Sequence, residues 1–242
     1  MNEPAVNTPA WWQHYLSQHW DANDGAGQTR HFMQRLVEEL RPPERQWLAS
    51  GHPRVLDWGC AHGEGVAGFA RAFPNATVEG LDIASTAVAE ARRRHPGHTF
   101  HVGEGTEVPD GYDVVLCSNT LEHFRQPLPV LERLAAAAKM LLLVLVPYAE
   151  EPLCEYHFVR LDEHSFPPEV AGRARIACDV IDVEPRYWPG QQLLVTYASA
   201  TYLAERVARQ EASIAATTDT YERSLVLRLM RTLDRLRGKK DS

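Results

Sequence analysis

Asp57, Gly59, Ala61 and Gly63 stand at alternate positions of the stretch RVLDWGCAHGEGVAGFARAF, with Gly65 completing the series. Val55 and Leu56 end an apolar run before them, and Val66 to Phe73 repeats apolar residues at helical spacing after them. A strand, a turn nearly free of side chains and a helix form a βα turn, where backbone approaches a ligand closely at a helix N-terminus. The turn lacks the GxxxxGK[ST] of a phosphate cradle and the GxGxxG of a dinucleotide site. A second acid, Asp82, closes the run TVEGLDI about 20 residues past the glycines, where a carboxylate accepts from both hydroxyls of a ribose. The pair points to a nucleoside ligand without phosphates. A degenerate NAD site and a tight βα turn with no ligand are the rival readings.

The elements that must position these acids follow from periodicity and punctuation. Trp11, Trp12, Tyr15, Leu16 and Trp20 lie at helical spacing. DANDGAGQTR is read as a polar break, and Phe32, Met33, Leu36, Val37 and Leu40 as a second amphipathic helix. Pro42, Pro43, Gly51 and Pro53 punctuate the approach to the first strand. Strands are expected over 77–83, 98–102, 112–117 and 139–146, the last wholly apolar as in a parallel strand covered on both faces. Helices are expected over 84–94 and 127–138, and two further strands over 175–183 and 192–198. The expected organisation is a helical segment over 1–50, an α/β domain over 51–200 and a helical extension over 201–242.

The acid-and-glycine turn, with Ala61 in the middle glycine's place, resembles the first motif of the class I S-adenosylmethionine (SAM) methyltransferases, and Asp82 their second. The resemblance covers residues from about 11 to 200. It implies a Rossmann-like seven-stranded sheet whose last strand is antiparallel, an N-terminal helical lid and S-adenosyl-L-methionine as cofactor. Asp57, Gly59, Ala61 and Gly63 would hold the methionine part, and Asp82 with Ile83 the ribose. Glu104 and Gly105 would meet the adenine, and Asn119 would line the point of transfer. Gln28, Thr29 and Arg30 in the lid would touch cofactor or acceptor, unless Thr29 only caps a helix. Methyl transfer to a hydroxyl requires removal of its proton, which suits histidine near neutral pH. His123 and His157 are the candidates, followed by Glu155 and Tyr148. No acid and histidine spacing demands a metal.

WDANDGAGQTRHFM and the tail YERSLVLRLMRTLDRLRG also resemble segments of bacterial methyltransferases associated with surface-polysaccharide synthesis. That likeness implies O-methylation of a sugar, nucleotide sugar or surface glycan. Small-molecule methylation in secondary or quinone metabolism, and a non-catalytic SAM-binding scaffold, stay open beside it.

Bulk properties set further bounds. With 32 acidic and 25 basic side chains and a net charge of -7, the chain has no overall positive field for nucleic acid. The four cysteines, Cys60, Cys117, Cys154 and Cys178, form no CxxC pair and suit reduced cytoplasmic thiols. Arg223, Arg228, Arg231 and Arg235 border the stripe Val226, Leu229, Leu233 and Leu236. Such a basic amphipathic helix is expected to meet a second copy, a glycosyltransferase partner or the inner membrane face.

Overall fold

The computed structural model describes residues 4–103, 106–215 and 217, and the chain divides into two compact units, 1–200 and 201–242. Within the first, eight strands form one sheet in the order β3-β2-β1-β4-β5-β8-β7-β6. These are β1 (Arg54–Trp58), β2 (Thr77–Asp82), β3 (Thr99–Val102), β4 (Val114–Ser118), β5 (Leu141–Pro147), β6 (Glu169–Val170), β7 (Arg173–Ile181) and β8 (Gln192–Ala198). β1 to β5 are parallel to one another, and β8 runs antiparallel between β5 and β7. Seven strands and the antiparallel last one match the expectation. β6 is an eighth, two residues long, paired antiparallel with β7.

Sequence chemistry explains the central elements. Every residue of β5 is buried, as its apolar run requires. The helix after the glycine turn, α4 (Glu64–Ala72), buries Val66 and Phe69, three residues apart on one face. The helix after β2, α5 (Ser85–Arg94), ends in Arg92, Arg93 and Arg94, which complement the negative end of its dipole before Pro96 stops it. A further helix, α6 (Pro127–Ala137), packs Leu131 and Leu134 beneath β4 and β5. Reversal of strand order beside β1 and β4 opens a crevice at the carboxyl ends of the strands, the ligand position of open α/β sheets.

Three helices precede the sheet: α1 (Pro9–Gln18), α2 (Gly25–Glu39) and α3 (Pro42–Ser50). Two of them depart from the expected boundaries. GAGQTR is not a break but the first turns of α2, because the Asp24 side chain caps the helix by accepting from Gly27 N at 3.1 Å. Thr29 is therefore inside the helix and does not cap it. Pro42 and Pro43 start α3 rather than interrupt the chain, since proline at the first helical positions gives up no intrahelical hydrogen bond.

The second unit is helical over 201–215. The basic stripe from Arg223 to Lys240, and with it the expected partner and membrane contacts, lies outside the described residues. Among the described residues, no helix is long and apolar enough to cross a membrane.

Candidate active site

A cavity of about 460 Å³ opens at the carboxyl ends of β1, β2 and β4 and is roofed by α1 and α2. Asp57, Gly59, Ala61, Gly65, Asp82 and Ile83 line one end. Asn119, Glu122, His123, Tyr156, His157 and Trp188 line the other.

At the first end two carboxyls organise the glycine turn. Asp82, 6% exposed, accepts from Ala61 N through Oδ2 and from Ala84 N through Oδ1, each at 2.8 Å. One side chain thus clamps both ligand-facing turns. Ala61 has φ 45°, a left-handed conformation costly for a residue with a Cβ, and its bond to Asp82 holds it there. Gly59, at φ 83°, has no room for a side chain, since a Cβ would lie 2.6 Å from Thr120 Oγ1. Asp57, 4% exposed, sits against the first turn of α4, where a Cβ on Gly65 would come within 2.5 Å of its Oδ2. Its carboxyl has no hydrogen-bonding or cationic influence upon it, and burial, reinforced by the Asp82 charge, pushes it up to about 7. Burial also raises Asp82, although the backbone N–H groups oppose the shift.

The raised Asp57 carries a sign. A carboxyl that holds its proton more tightly when folded than when unfolded stabilises less as pH rises. Stability is thus expected to fall between its ordinary value of 3.8 and about 7. Asp57→Asn should flatten that slope and raise the melting temperature near pH 8 in the absence of ligand, which thermal melts across pH would register. Equal slopes in the two proteins would show that Asp57 is not the group responsible.

The other end is built by a 3-10 turn (Leu121–His123) after β4 and by the loop after β5. They are joined where Phe158 N donates to Glu122 O at 2.8 Å. His157 Nδ1 lies 2.5 Å from Glu150 Oε2, and the other Glu150 oxygen accepts from Cys154 N at 2.8 Å. The carboxylate partner keeps the proton on Nδ1 and leaves Nε2 as the acceptor turned to the cavity. His123 Nδ1 lies 3.1 Å from Tyr156 O, and burial drives this imidazole down to about 4. Glu122 is 1% exposed, with neither carboxyl oxygen hydrogen bonded, and burial pushes it up to about 8. Glu122 Oε1 is 4.0 Å from His157 Nε2. Those two atoms could share an ion at about 2.1 Å from each only with an angle near 145°, far from tetrahedral.

Aromatic rings wall this end. Trp12 meets His123 edge-on with centroids 4.7 Å apart, and Trp188 lies 5.7 Å from His157. The lid is tied down across the opening: Asn7 Nδ2 donates to Tyr156 O at 2.7 Å, and Gln28 Nε2 to Tyr187 O at 2.6 Å.

Among the residues expected at the site, Asp57, Gly59, Ala61, Asp82, Ile83, Asn119, Thr29, His123 and His157 all line this one cavity. Four others do not. Gly63 is the N-cap of α4, directed at Phe100 rather than the cavity. Arg30 projects to solvent one residue past Thr29 on α2. Glu155 is exposed, because the turn closed by His157 N donating to Cys154 O carries it outward. Tyr148 donates its hydroxyl to Glu163 at 3.0 Å, away from the site. Glu104 and Gly105 lie outside the described residues. Glu150 joins the site beyond the expected residues, and its one signal in the sequence is an acid seven residues before a candidate histidine.

Residues 55–141 match a family described as a methyltransferase domain. A trans-aconitate 2-methyltransferase of Methylobacterium nodulans is 33% identical over 127 residues, 49% of each chain. A ubiquinone biosynthesis O-methyltransferase of Pseudomonas savastanoi is 37% identical over 107 residues, 39% of this chain and 45% of that one. A fatty-acid O-methyltransferase of Mycolicibacterium smegmatis is 41% identical over 68 residues, 26% of this chain and 25% of that one. The chain thus spans a quarter to a half of the length of these relatives. Among solved structures, a chain of the complex between the Haloferax volcanii Trm112 methyltransferase activator and a methyltransferase superposes with TM-score 0.61 at 17% identity, over 78% of this chain and 97% of that one. The O-methyltransferase NcsB1, solved with S-adenosylmethionine and a naphthoic acid, superposes with TM-score 0.56 at 18% identity, over 78% and 61%. The sheet has the fold of the class I methyltransferases.

Proposed function

We propose that the chain is a SAM-dependent O-methyltransferase acting on a small hydroxyl compound with a flat, apolar body. The observation that carries this reading is the charge of the cavity. Its lining holds the buried carboxyls of Asp57 and Asp82 at the glycine-turn end, and Arg125 is its one Lys or Arg among the described residues. A cationic ligand matches that lining, whereas the pyrophosphate of NAD would meet acids in place of donors. Asp57 fits the group in particular, being a buried carboxyl with no hydrogen bond to keep it ionised until a cation arrives.

When bound, the cofactor supplies a methyl group already activated by a positive sulfur. Asp57 would face its ammonium, Asp82 its ribose, and Gly59 and Ala61 would let it lie against the backbone. The remaining work belongs to the acceptor end. Trp12, Tyr156 and Trp188 exclude water and orient an apolar acceptor. His157 Nε2 takes the proton of the acceptor hydroxyl as its oxygen bonds to carbon, and Glu150 stabilises the imidazolium that results. Asn119, at φ 50° and fixed by its Nδ2 donating to Gln192 Oε1 at 2.9 Å, borders the path between the two ends.

The relatives described above are named for trans-aconitate, ubiquinone biosynthesis and fatty acids. The glycan acceptor suggested by the chain's two ends rests on that resemblance alone, and the aromatic walls favour a flatter molecule. Calorimetric titration with SAM, S-adenosylhomocysteine and NAD tests the cofactor reading. Saturable binding of the first two without NAD supports it, and binding of NAD alone would overturn it.

A further inference from the structure

Glu122 has no place in the chemistry described so far, yet it is among the most buried polar side chains of the molecule. It lines the cavity at 1% exposure, and neither carboxyl oxygen meets a hydrogen-bond partner. A carboxyl so buried is costly unless a ligand completes it. Its Oε1 is 4.0 Å from His157 Nε2, the atom that receives the acceptor's proton. An oxygen placed about 2.8 Å from both closes a triangle with an angle of about 90° at that oxygen, an ordinary hydrogen-bonding geometry. One acceptor hydroxyl therefore reaches both groups together.

We infer that Glu122 acts as a neutral carboxylic acid that donates a hydrogen bond to the oxygen being methylated, and that the site selects phenol-type hydroxyls on this account. The inference rests on the O-methyltransferase reading and adds to it a second catalytic residue and an acceptor class. In the step, the O–H bond breaks and its proton passes to His157 Nε2. The Glu122 O–H bond stays intact and points at the developing phenolate. The oxygen's electron pair then forms the bond to the methyl carbon, while the pair of the carbon–sulfur bond remains on sulfur. A fixed donor there raises the share of bound acceptor present as phenolate, about tenfold to a hundredfold for a hydrogen bond to a charged group, and it acts on proton removal because the oxygen loses charge as it bonds to carbon. A carboxylate acceptor has no proton for His157 and would set its charge against that of Glu150.

The surroundings keep Glu122 protonated. The titratable groups facing it are His157 and Glu150 on the loop after β5, His123 beside it and Cys117 at the end of β4. Glu150 adds negative charge, His123 is neutral, and the Arg125 guanidinium is drawn over the Phe158 ring at 4.0 Å. Burial raises the carboxyl to about 8, opposed by its own backbone N–H and reinforced by the Glu150 charge.

Two variants and para-nitrophenol, whose visible absorbance reports its ionisation, test the inference. The wild-type protein loaded with S-adenosylhomocysteine should bind the phenol and shift it toward phenolate. Glu122→Gln, which keeps an N–H donor, should hold that shift and turn over within about tenfold of wild type, without the alkaline decline near pH 8. Glu122→Ala should lose the shift and up to about a hundredfold in kcat while binding SAM normally. Gln and Ala variants equally inactive would overturn the inference, because an ionised Glu122 would then be the working form. So would wild-type turnover that a chelator abolishes and a divalent ion restores, or a wild type that transfers methyl groups but never binds the phenol. Failure of the wild type to bind SAM at all would remove the parent reading, and this one with it.

Discussion

Replacing His157 with alanine is expected to lower kcat by about a thousandfold while leaving SAM affinity within about twofold of wild type. The loss follows from the histidine's position. The residue is 8% exposed, Nδ1 is engaged by Glu150 and Nε2 is turned to the acceptor end, remote from the Asp57 and Asp82 turn. General bases contribute about a hundredfold to ten-thousandfold, and a base oriented by a carboxylate stands in the upper part of that span. Glu150→Gln should show a smaller loss in kcat with KM nearly unchanged, because the amide still meets Nδ1 but no longer stabilises the charged ring. Single-turnover kinetics with saturating SAM separates the two effects. His157→Ala activity close to wild type would remove the histidine base.

The second large effect is expected at Asp82. Its two oxygens receive the N–H groups of Ala61 and Ala84, and hydrogen bonds to a charged group contribute about 1.5 to 3 kcal/mol each. Asp82→Ala leaves both donors unpaired, frees Ala61 from its left-handed conformation and removes the ribose partner. SAM affinity should fall at least a hundredfold, while Asp82→Asn, which retains one acceptor, should stand between the two. Calorimetry gives the affinities and circular dichroism shows whether the sheet persists. A folded Asp82→Ala protein that binds SAM as wild type does would place the cofactor elsewhere.

How far these residues could be read from the chain depends on how local their determinants are. Asp57, the glycine turn and Asp82 are legible because a strand end, a tight turn and a helix N-terminus lie within one continuous stretch. The wholly apolar β5 is legible for the same reason: burial on both faces leaves no polar position. α2 is harder to read, since its start depends on the side-chain conformation of Asp24, not on the glycines that follow. The acceptor end is the least legible. His157 and Glu150 meet across a seven-residue turn, and Glu122 reaches them from another strand end, so side-chain direction there depends on tertiary packing. Glu155 and Tyr148 illustrate the same limit. Both belong to the loop with suitable chemistry, and both point away from the cavity.

The lid shows how the two ends become one site. Asn7, just before α1, and Gln28 of α2 reach across the cavity to Tyr156 and Tyr187, so the N-terminal segment and the acceptor side of the site are joined by direct hydrogen bonds. The cavity thus gathers residues from Asn7 to Trp188 of the first unit.

The most direct measurement follows the methyl group itself. The protein is incubated with SAM carrying a labelled methyl group and with a panel of phenols, and products are resolved by mass and by NMR of the labelled carbon. The account predicts a methyl ether carrying the label, with S-adenosylhomocysteine formed in equal amount and neither product made by His157→Ala. Label found on no acceptor, or on carboxyl oxygen alone, would contradict it.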